Sequence, residues 1–310
     1  MFMHKKIYSL LFCLTIAFVS CQESMSEEEI ATIGRTKNKK PAAFIQKIGF
    51  NPNQSAFSSA VQQMKGIVLL QAVPSFKDSF LKYQHPTWSQ YGWMGSITSD
   101  DNGNLYTAPI PFVNSLDNGL STINTIYKID HQTGEMNVFF KLPAPDSVAG
   151  VIPFGVMGLY YDSHGNKLYV SSIAGSTSDE EKGVIYALDI ENKSIADKIT
   201  GIDAMGLFVG GNTGEKKLYI GRCRSSEIQC VKLNKSGSFV SKPVMEINLD
   251  QLGPRGNDKA RRIRYDNNGN LVVYGIDFNY SLAANSDKIE TVYKFVYNPT
   301  DKKWMNTEIH

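Results

Sequence analysis

The chain has little of what marks several large classes of protein. Beyond its first residues, no segment reaches the roughly 18 consecutive apolar residues that a transmembrane helix needs. Lysine and arginine (32) nearly balance aspartate and glutamate (30), so no strong electrostatic field favours nucleic acid. There are only five histidines and four cysteines, and no nucleophile elbow, histidine cluster with metal-ligand spacing or phosphate loop appears. We therefore expect neither a nucleic-acid-binding protein nor an enzyme recognisable from a catalytic motif.

The amino terminus has the composition of an export signal. Lys5 and Lys6 stand before a mostly apolar run, residues 7–19, which is too short to span a bilayer. Small and polar residues follow the run, among them Ser20 and Cys21. A basic start, a short apolar stretch and small residues before a cleavage point predict a secretory signal peptide over residues 1–20.

Residues 18–21, Phe-Val-Ser-Cys, resemble the lipobox of bacterial lipoproteins. Phe18 stands where the usual residue is leucine, a looseness tolerated in Bacteroidota-like sequences. The resemblance implies that Cys21 is acylated and becomes the mature amino terminus, with enough acyl chains for stable anchoring. It also implies an outer-membrane lipoprotein that faces the periplasm or the cell surface. The alternative is a plain secreted protein with an accidental cysteine.

A polar segment and one large domain are predicted to follow. Residues 22–41 are mostly polar, with acidic residues at 27–29 and a basic stretch at 35–40. This composition predicts a solvated tether after the lipidated Cys21, so that residues 21–41 link the lipid to the domain. Residues 42–310 are enough for a single large all-β domain, and we expect a monomer.

Two cysteines remain for the mature domain once Cys13 leaves with the signal peptide and Cys21 takes the lipid. Cys223 and Cys230 flank residues 224–229, which are predicted to form a hairpin tip. In an oxidising compartment they would form a disulfide if they lay opposite each other. The alternative is two buried free thiols, and the sequence favours neither.

One sequence module recurs along the chain and predicts the fold. Each copy starts with a short strand, continues through a turn rich in Asp, Asn, Lys and Gly, and resumes in a strand that begins with Leu. Asp and Asn side chains fold the backbone of such a turn through hydrogen bonds, and glycine takes the positive φ that it requires. A second hairpin completes the copy, so each module is predicted to form four antiparallel strands. The turns of the four clear copies lie at residues 101–104, 162–166, 214–217 and 266–270.

A weaker fifth module precedes these copies. Residues 44–50 are predicted to form a strand, and residues 66–70 are predicted to pair with residues 80–84. No useful stretch of helical periodicity competes outside the signal. We therefore predict an all-β protein, a β-propeller of four-stranded blades, with five modules counted and room for a sixth in the weak amino-terminal part.

The stretch from Gly158 to Ser172 resembles the blades of the six-bladed β-propeller superfamily, which includes NHL-repeat proteins, gluconolactonase-like lactonases and paraoxonases. The resemblance covers roughly residues 42–310 and implies the propeller fold. It implies no particular activity, because propellers host hydrolases, lyases and plain binding platforms. Together with the lipobox, the whole chain resembles a Bacteroidota propeller lipoprotein of unassigned function.

The lactonases of that superfamily hold a divalent cation with Glu and Asn or Asp residues of the inner strands. Thioether and guanidinium groups are unsuited to a hard cation, and they occupy the inner-strand entries of this chain: Met94, Met157, Met205 and Arg261. We therefore expect no cofactor and no metal site, with Ca²⁺ only if the chain is a hydrolase whose site has been rebuilt.

Loops at one end of the modules are predicted to form a ligand site. In a propeller, the connections between blades share one face with the loops between second and third strands. Aromatic residues of the first connection suit stacking on sugars or peptides, or else fill gaps between blades. Three arginines on this face are predicted to grip an anionic group together, with an aspartate that orients or neutralises them. The candidate residues are Trp88, Tyr91, Trp93, Arg222, Arg224, Arg261, Asp277 and Asn279.

Two functional hypotheses follow from different classes of protein. The first is a membrane-anchored, non-catalytic platform that binds a small molecule, a glycan or a protein on one propeller face. The alternative is a divalent-metal-dependent lactonase- or esterase-type hydrolase, for which the sequence supplies no catalytic residue that we can assign.

Overall fold

Strands dominate the computed structural model, which describes residues 25–35, 39–61, 64–73, 79–110, 117–144, 154–281 and 289–310. The predicted signal peptide and Cys21 lie outside these residues. No helix in the described ranges is both long enough and apolar enough to cross a membrane.

The strands form five antiparallel sheets, here called blades I to V, each with its strands in chain order. Blade I contains β1 (Ser55–Ser58), β2 (Val68–Ala72) and β3 (Phe80–Tyr83). Blade II contains β4 (Met94–Ser99), β5 (Leu105–Pro109), β6 (Thr125–Ile129) and β7 (Met136–Lys141). Blade III contains β8 (Val156–Asp162), β9 (Lys167–Ser172), β10 (Val184–Asp189) and β11 (Ser194–Thr200). Blade IV contains β12 (Ala204–Gly210), β13 (Lys217–Arg222), β14 (Glu227–Lys232) and β15 (Val244–Asn248). Blade V contains β16 (Lys259–Tyr265), β17 (Leu271–Ile276), β18 (Thr291–Asn298) and β19 (Lys303–Ile309).

The first strands of successive blades pack against one another, β4 on β8, β8 on β12 and β12 on β16. This makes them the inner strands of a propeller, and the prediction of an all-β propeller with five modules is confirmed. Blades II to V have the predicted four strands, whereas blade I has three within the described residues. The described ranges contain no sixth sheet.

Glycine lets the inner strands approach closely. A Cβ on Gly158 would lie 2.3 Å from the Met205 carbonyl oxygen, and a Cβ on Gly206 would lie 2.7 Å from the Ala260 carbonyl oxygen. No side chain fits at such a separation, which explains why a Met-Gly pair recurs at the start of the modules. Each inner strand also has a register shift near this point, for example between Val156 and Gly158.

The turns between first and second strands form by the predicted chemistry. Asp100 Oδ1 accepts hydrogen bonds from the backbone N–H groups of Asn102 and Asn104, at 3.0 and 2.9 Å. Asp266 does the same for the residues at the corresponding positions of blade V. These turns and those between third and fourth strands lie on one face of the propeller, called here the turn face. The opposite face, with the connections between blades, is called the loop face.

Residues 44–50 are not the predicted strand. Ala43–Lys47 form a one-turn helix, α2. Phe44 and Ile45 are both buried in one hydrophobic cluster, and Ile48 packs against the same cluster. A strand would send the neighbours Phe44 and Ile45 to opposite sides, whereas a helical turn places them and Ile48 on one side. Burial therefore overrides the β-propensity of this segment.

Residues 25–35 are folded onto the turn face rather than forming a solvated tether. Helix α1 (Glu27–Thr32) begins with a capping box between Ser26 and Glu29. Ile33 is only 1% exposed and packs in a cluster with strands of blades III and IV. The Thr32 hydroxyl lies 3.3 Å from His164 Nε2, and Glu29 lies 3.7 Å from Lys235 Nζ. The segment is polar on average, but three of its side chains are apolar and pack on the same hydrophobic cluster: those of Met25, Ile30 and Ile33.

The docking of this segment predicts a specific effect at Gly34. Gly34 and Gly49 have nearly the same backbone, with φ of 75° and 81°. A Cβ on Gly34 would lie 2.5 Å from the Val209 carbonyl oxygen, whereas a Cβ on Gly49 would meet nothing within 4 Å. Both changes to alanine carry the same left-handed strain of about 1 kcal/mol, but only Gly34→Ala adds a clash.

We therefore expect Gly34→Ala to release residues 25–35, and Gly49→Ala to leave them docked. Hydrogen–deuterium exchange of the 25–35 peptide measures the difference, because undocked amides lose protection. Equal protection of this peptide in the two variants would contradict the docking.

Candidate functional site

A hydrophobic cluster occupies the centre of the loop face and joins three blades. Its side chains come from the starts of inner strands, the ends of second strands and the loops next to them. Phe278 makes edge contacts with Phe154 and Tyr280, with ring centroids 5.5 and 5.2 Å apart. The cluster, called here the loop-face cluster, consists of the buried residues Phe154, Ile173, Met205 and Cys223 and the partly buried residues Met157, Ile276, Phe278 and Tyr280.

Asp203 lies beside this cluster as a fully buried carboxylate, with an exposed fraction of 0%. It accepts hydrogen bonds from the Ser176 hydroxyl at 2.5 Å and from the Gly183 N–H at 2.8 Å. Arg224 Nε and the Tyr280 hydroxyl donate to its other oxygen at 3.0 and 2.6 Å. Burial, together with this hydrogen bond to Asp203, raises the pKa of Tyr280. The carboxylate is therefore saturated by donors of the protein itself.

Arg224 is committed to the same network. Besides Asp203, its guanidinium donates to the carbonyl oxygens of Thr177, Ser178 and Glu180, at 2.5, 2.8 and 2.6 Å. It also lies over the Tyr280 ring, 4.7 Å from the centroid. Arg224 thus fixes the loop between β9 and β10 to the centre of the face.

Arg222 is bound in a similar way. It donates to Glu181 Oε1 at 2.6 Å and to Gln229 Oε1 at 3.2 Å. The same Glu181 oxygen accepts the backbone N–H of Asp203 at 2.7 Å. Glu181 therefore links the arginine of blade IV to the start of the inner strand.

Arg261 stands apart from the other two arginines. Its side chain is 58% exposed, and it lies 3.7 Å from Glu290. Arg222 and Arg224 are bound to their own carboxylates, Glu181 and Asp203, so the structure does not bring the three arginines together around one point, and their shared grip on an anionic ligand stays a prediction. Glu181 belongs to the loop between β9 and β10 and reaches Arg222 through the packing of blades III and IV, whereas Asp203 stands just before β12, whose Ala204 pairs with Arg222 in the sheet of blade IV.

The aspartate and asparagine predicted beside the arginines have local partners. Asp277 interacts electrostatically with Lys259, whose pKa is lowered by burial. Asn279 Oδ1 accepts the backbone N–H of Ser281 at 3.0 Å. Both flank Phe278 on the loop face. Asp277, predicted to orient or neutralise the arginines, is not among the residues that Arg222 and Arg224 bind.

The aromatic residues of the first connection lie outside this cluster and have partners of their own. Trp88 has an exposed fraction of 0%, and its indole N–H donates to the Gly134 carbonyl at 2.7 Å. Tyr91 stacks on Tyr127 with ring centroids 4.5 Å apart. The indole N–H of Trp93 donates to Asp117 at 3.3 Å. Trp88 thus fills the space between blades I and II, the second of the two alternatives that the sequence left open for it.

Cys223 and Cys230 are free and buried, the second of the two arrangements that the sequence allowed. In the register of β13 and β14, Cys230 faces Tyr219, so it does not face Cys223. The Cys230 thiol donates to Glu246 at 2.6 Å. Burial and this carboxylate raise the pKa of Cys230 to about 12, and burial raises that of Cys223 as well.

Asp203 had a signal in the sequence that was missed. Asp203 and Asp258 stand immediately before the inner strands of blades IV and V. Asp258 is also fully buried and is bound by Arg255, at 2.5 and 3.1 Å, and by the Tyr293 hydroxyl at 2.7 Å. A buried aspartate that binds an arginine is therefore a repeated feature of the propeller, and the arginine partner of Asp258 is not Arg261.

Over the described ranges, no group of three or more His, Cys, Asp or Glu side chains is placed to hold a metal ion.

No family model matches the chain, and no curated protein sequence matches it. Among solved structures, a GH43 β-1,3-galactosidase with galactodeoxynojirimycin is similar, with a TM-score of 0.47 and 10% identity over 78% of this chain and 85% of that one. A glucose dehydrogenase has a TM-score of 0.43 and 12% identity, over 76% and 78% of the two chains. A chain of a nidogen/laminin complex has a TM-score of 0.43 and 11% identity, over 80% and 90%. Similarity this distant carries no argument about activity, so the propeller assignment depends on the sheets described above.

The network predicts different roles for Arg224 and Arg261. Arg224→Ala leaves the buried Asp203 charge without its guanidinium, which is expected to lower the free energy of unfolding by about 3 kcal/mol. Arg261→Ala removes an exposed, long ion pair, which is expected to cost less than about 1 kcal/mol. Urea unfolding of the two variants measures both changes.

A second change separates the charge from the contacts. With Asp203→Asn added to Arg224→Ala, the unpaired charge disappears and part of the lost stability is expected to return. Equal small losses for Arg224→Ala and Arg261→Ala would mean that Arg224 is not structural.

Proposed function

We propose that this protein is an exported lipoprotein, held on a membrane by acylated Cys21, whose propeller binds a protein partner at the centre of the loop face. The lipobox-like residues 18–21 and the preceding apolar run support the anchor. The loop-face cluster supports the binding role, because it combines partly exposed apolar side chains with a surrounding rim of charged groups.

The proposed binding role rests on the composition of the centre of this face. Met157, Phe278 and Tyr280 are only partly buried, although they pack on a core joining three blades. Methionine and aromatic side chains are favoured at the centres of protein interfaces, where an apolar patch is surrounded by polar groups. Arg222 and Glu181 supply polar groups at the edge of this patch.

A protein partner fits this chemistry better than a sugar. Sugar recognition requires hydrogen-bonding groups that are available to hydroxyls. Here the guanidinium groups of Arg222 and Arg224 bind Glu181, Asp203 and main-chain carbonyls. An apolar side chain of a partner, by contrast, needs only the apolar centre of the face. Each Å² of apolar surface buried there contributes roughly 25 cal/mol to the free energy of binding.

Photo-crosslinking in the cells that make the protein tests this role. A benzophenone amino acid at Asn279, next to Phe278, is expected to give a discrete adduct with one partner. The matched control is the same amino acid at Thr300, which lies in the turn between β18 and β19 at the opposite end of blade V. Adding Phe278→Ser to the Asn279 variant is expected to reduce the adduct several-fold, since it removes the apolar contact. The same adduct at both positions, or one insensitive to Phe278→Ser, would exclude the loop-face centre as the binding site.

The alternative of a metal-dependent hydrolase has a direct test in thermal unfolding. A metal that binds only the folded protein stabilises it by about 2.7 kcal/mol at 100 times its Kd. We expect Ca²⁺, Mg²⁺, Mn²⁺ and Zn²⁺ to leave the Tm of chelator-treated protein unchanged, because Glu181 and Asp203 are bound to guanidinium groups at 2.6 and 3.0 Å. A saturable rise in Tm with one of these ions would favour the hydrolase instead.

A further inference from the structure

The described chain enters the fold on the turn face. Ile30 and Ile33 pack on the hydrophobic cluster of blades III and IV, and Met25 packs against the same cluster. A Cβ on Gly211, at the end of the inner strand of blade IV, would lie 2.0 Å from the Ile30 carbonyl oxygen. Glu29 lies beside Lys235, which belongs to the turn between β14 and β15. The segment that follows the predicted lipid site is therefore part of the turn face.

We infer that the turn face of the propeller lies against the bilayer and that the loop-face cluster points away from it. This inference rests on the proposed acylation of Cys21. It adds to that proposal a membrane-contacting surface and a fixed orientation, neither of which follows from acylation alone.

The short distance along the chain determines the orientation. Four residue steps separate Cys21 from Met25, and four residues span at most about 14 Å whatever their conformation. The inner strands β12 and β16 are seven residues long, which corresponds to a height of roughly 23 Å between the two faces. A link of about 14 Å from the turn face cannot reach around a domain of that height. The loop face therefore cannot meet the bilayer while residues 25–35 remain docked.

The docked contacts hold this orientation. Without them, the link would extend from Cys21 to Lys39, whose ammonium group donates to the Ser99 carbonyl at 2.7 Å. That longer link would span up to about 60 Å, which would allow either face to reach the bilayer. The contacts of Thr32, Ile33 and Gly34 thus set the direction in which the propeller faces.

Energy transfer from the protein to acceptor lipids tests the orientation. The full acylated chain is reconstituted in vesicles, with a donor dye on Thr300→Cys at the turn face or on Asn257→Cys at the loop face. Both positions are exposed and belong to opposite ends of blade V. The native Cys223 and Cys230 are 1% and 2% exposed, so the dye is directed to the introduced cysteine. We expect transfer from position 300 to be several-fold stronger than from position 257.

Two variants make the outcome specific. An insertion of about 20 Gly and Ser residues before Met25 lengthens the link by roughly 25 Å, which should bring the two transfer signals close together while the protein still floats with the vesicles. Gly34→Ala is expected to do the same by undocking the segment. Equal transfer from positions 300 and 257 in the otherwise unmodified chain would contradict the proposed orientation without contradicting the proposed lipid anchor.

Failure of the anchor is measured separately. Cys21→Ala is expected to remain in the soluble fraction in a flotation experiment and to give no transfer from either position. If the unmodified chain also fails to float with vesicles after expression in its native cells, the proposed lipid anchor is wrong, and the proposed orientation is then wrong as well.

Discussion

The close approach of the inner strands governs how the blades of this protein are arranged. Gly158 and Gly206 bring the backbones of β8, β12 and β16 together at distances that leave no room for a side chain. The Ser96 hydroxyl extends this contact to blade II by donating to the Met157 carbonyl at 2.8 Å. Backbone atoms therefore meet where the blades converge, and the chemistry that the protein presents to other molecules lies on its two faces.

The two faces are covered in different ways, and this difference gives the molecule a direction. On the turn face, residues 25–35 lie over the ends of the inner strands and bury Ile33. On the loop face, Phe278 packs with Phe154 and Tyr280 but stays partly exposed. One face is thus closed by the chain's own amino-terminal segment, and the other presents a patch of apolar side chains. The proposed function assigns attachment to the first of these faces and partner contact to the second.

Local chemistry could be predicted from the sequence, whereas the pairing of distant residues could not. The Asp100 and Asp266 turns form as expected, because the hydrogen bonds that fold them join residues two to four positions apart. Four of the five modules follow from the repetition of such turns. The helix at 43–47 and the docking of Ile33 escaped prediction, because each depends on burial against residues far along the chain. The hydrogen bonds of Arg224 to the loop between β9 and β10 escaped for the same reason, since that loop belongs to the previous blade.

The pairing of buried aspartate with arginine changes which residues of the loop face are informative about function. Asp203 and Asp258 stand at equivalent places before the inner strands of blades IV and V. Each carboxylate binds an arginine, Arg224 or Arg255, and accepts a tyrosine hydroxyl. A buried carboxylate without such donors would cost several kcal/mol, so the arginines are required by the aspartates whatever the protein binds. The buried charges of this face and their arginine partners therefore reflect the architecture of the propeller and do not indicate what it binds. Phe278 and Met157 have no such pairing with a buried charge, and their partial exposure is the observation on which the proposed partner contact rests.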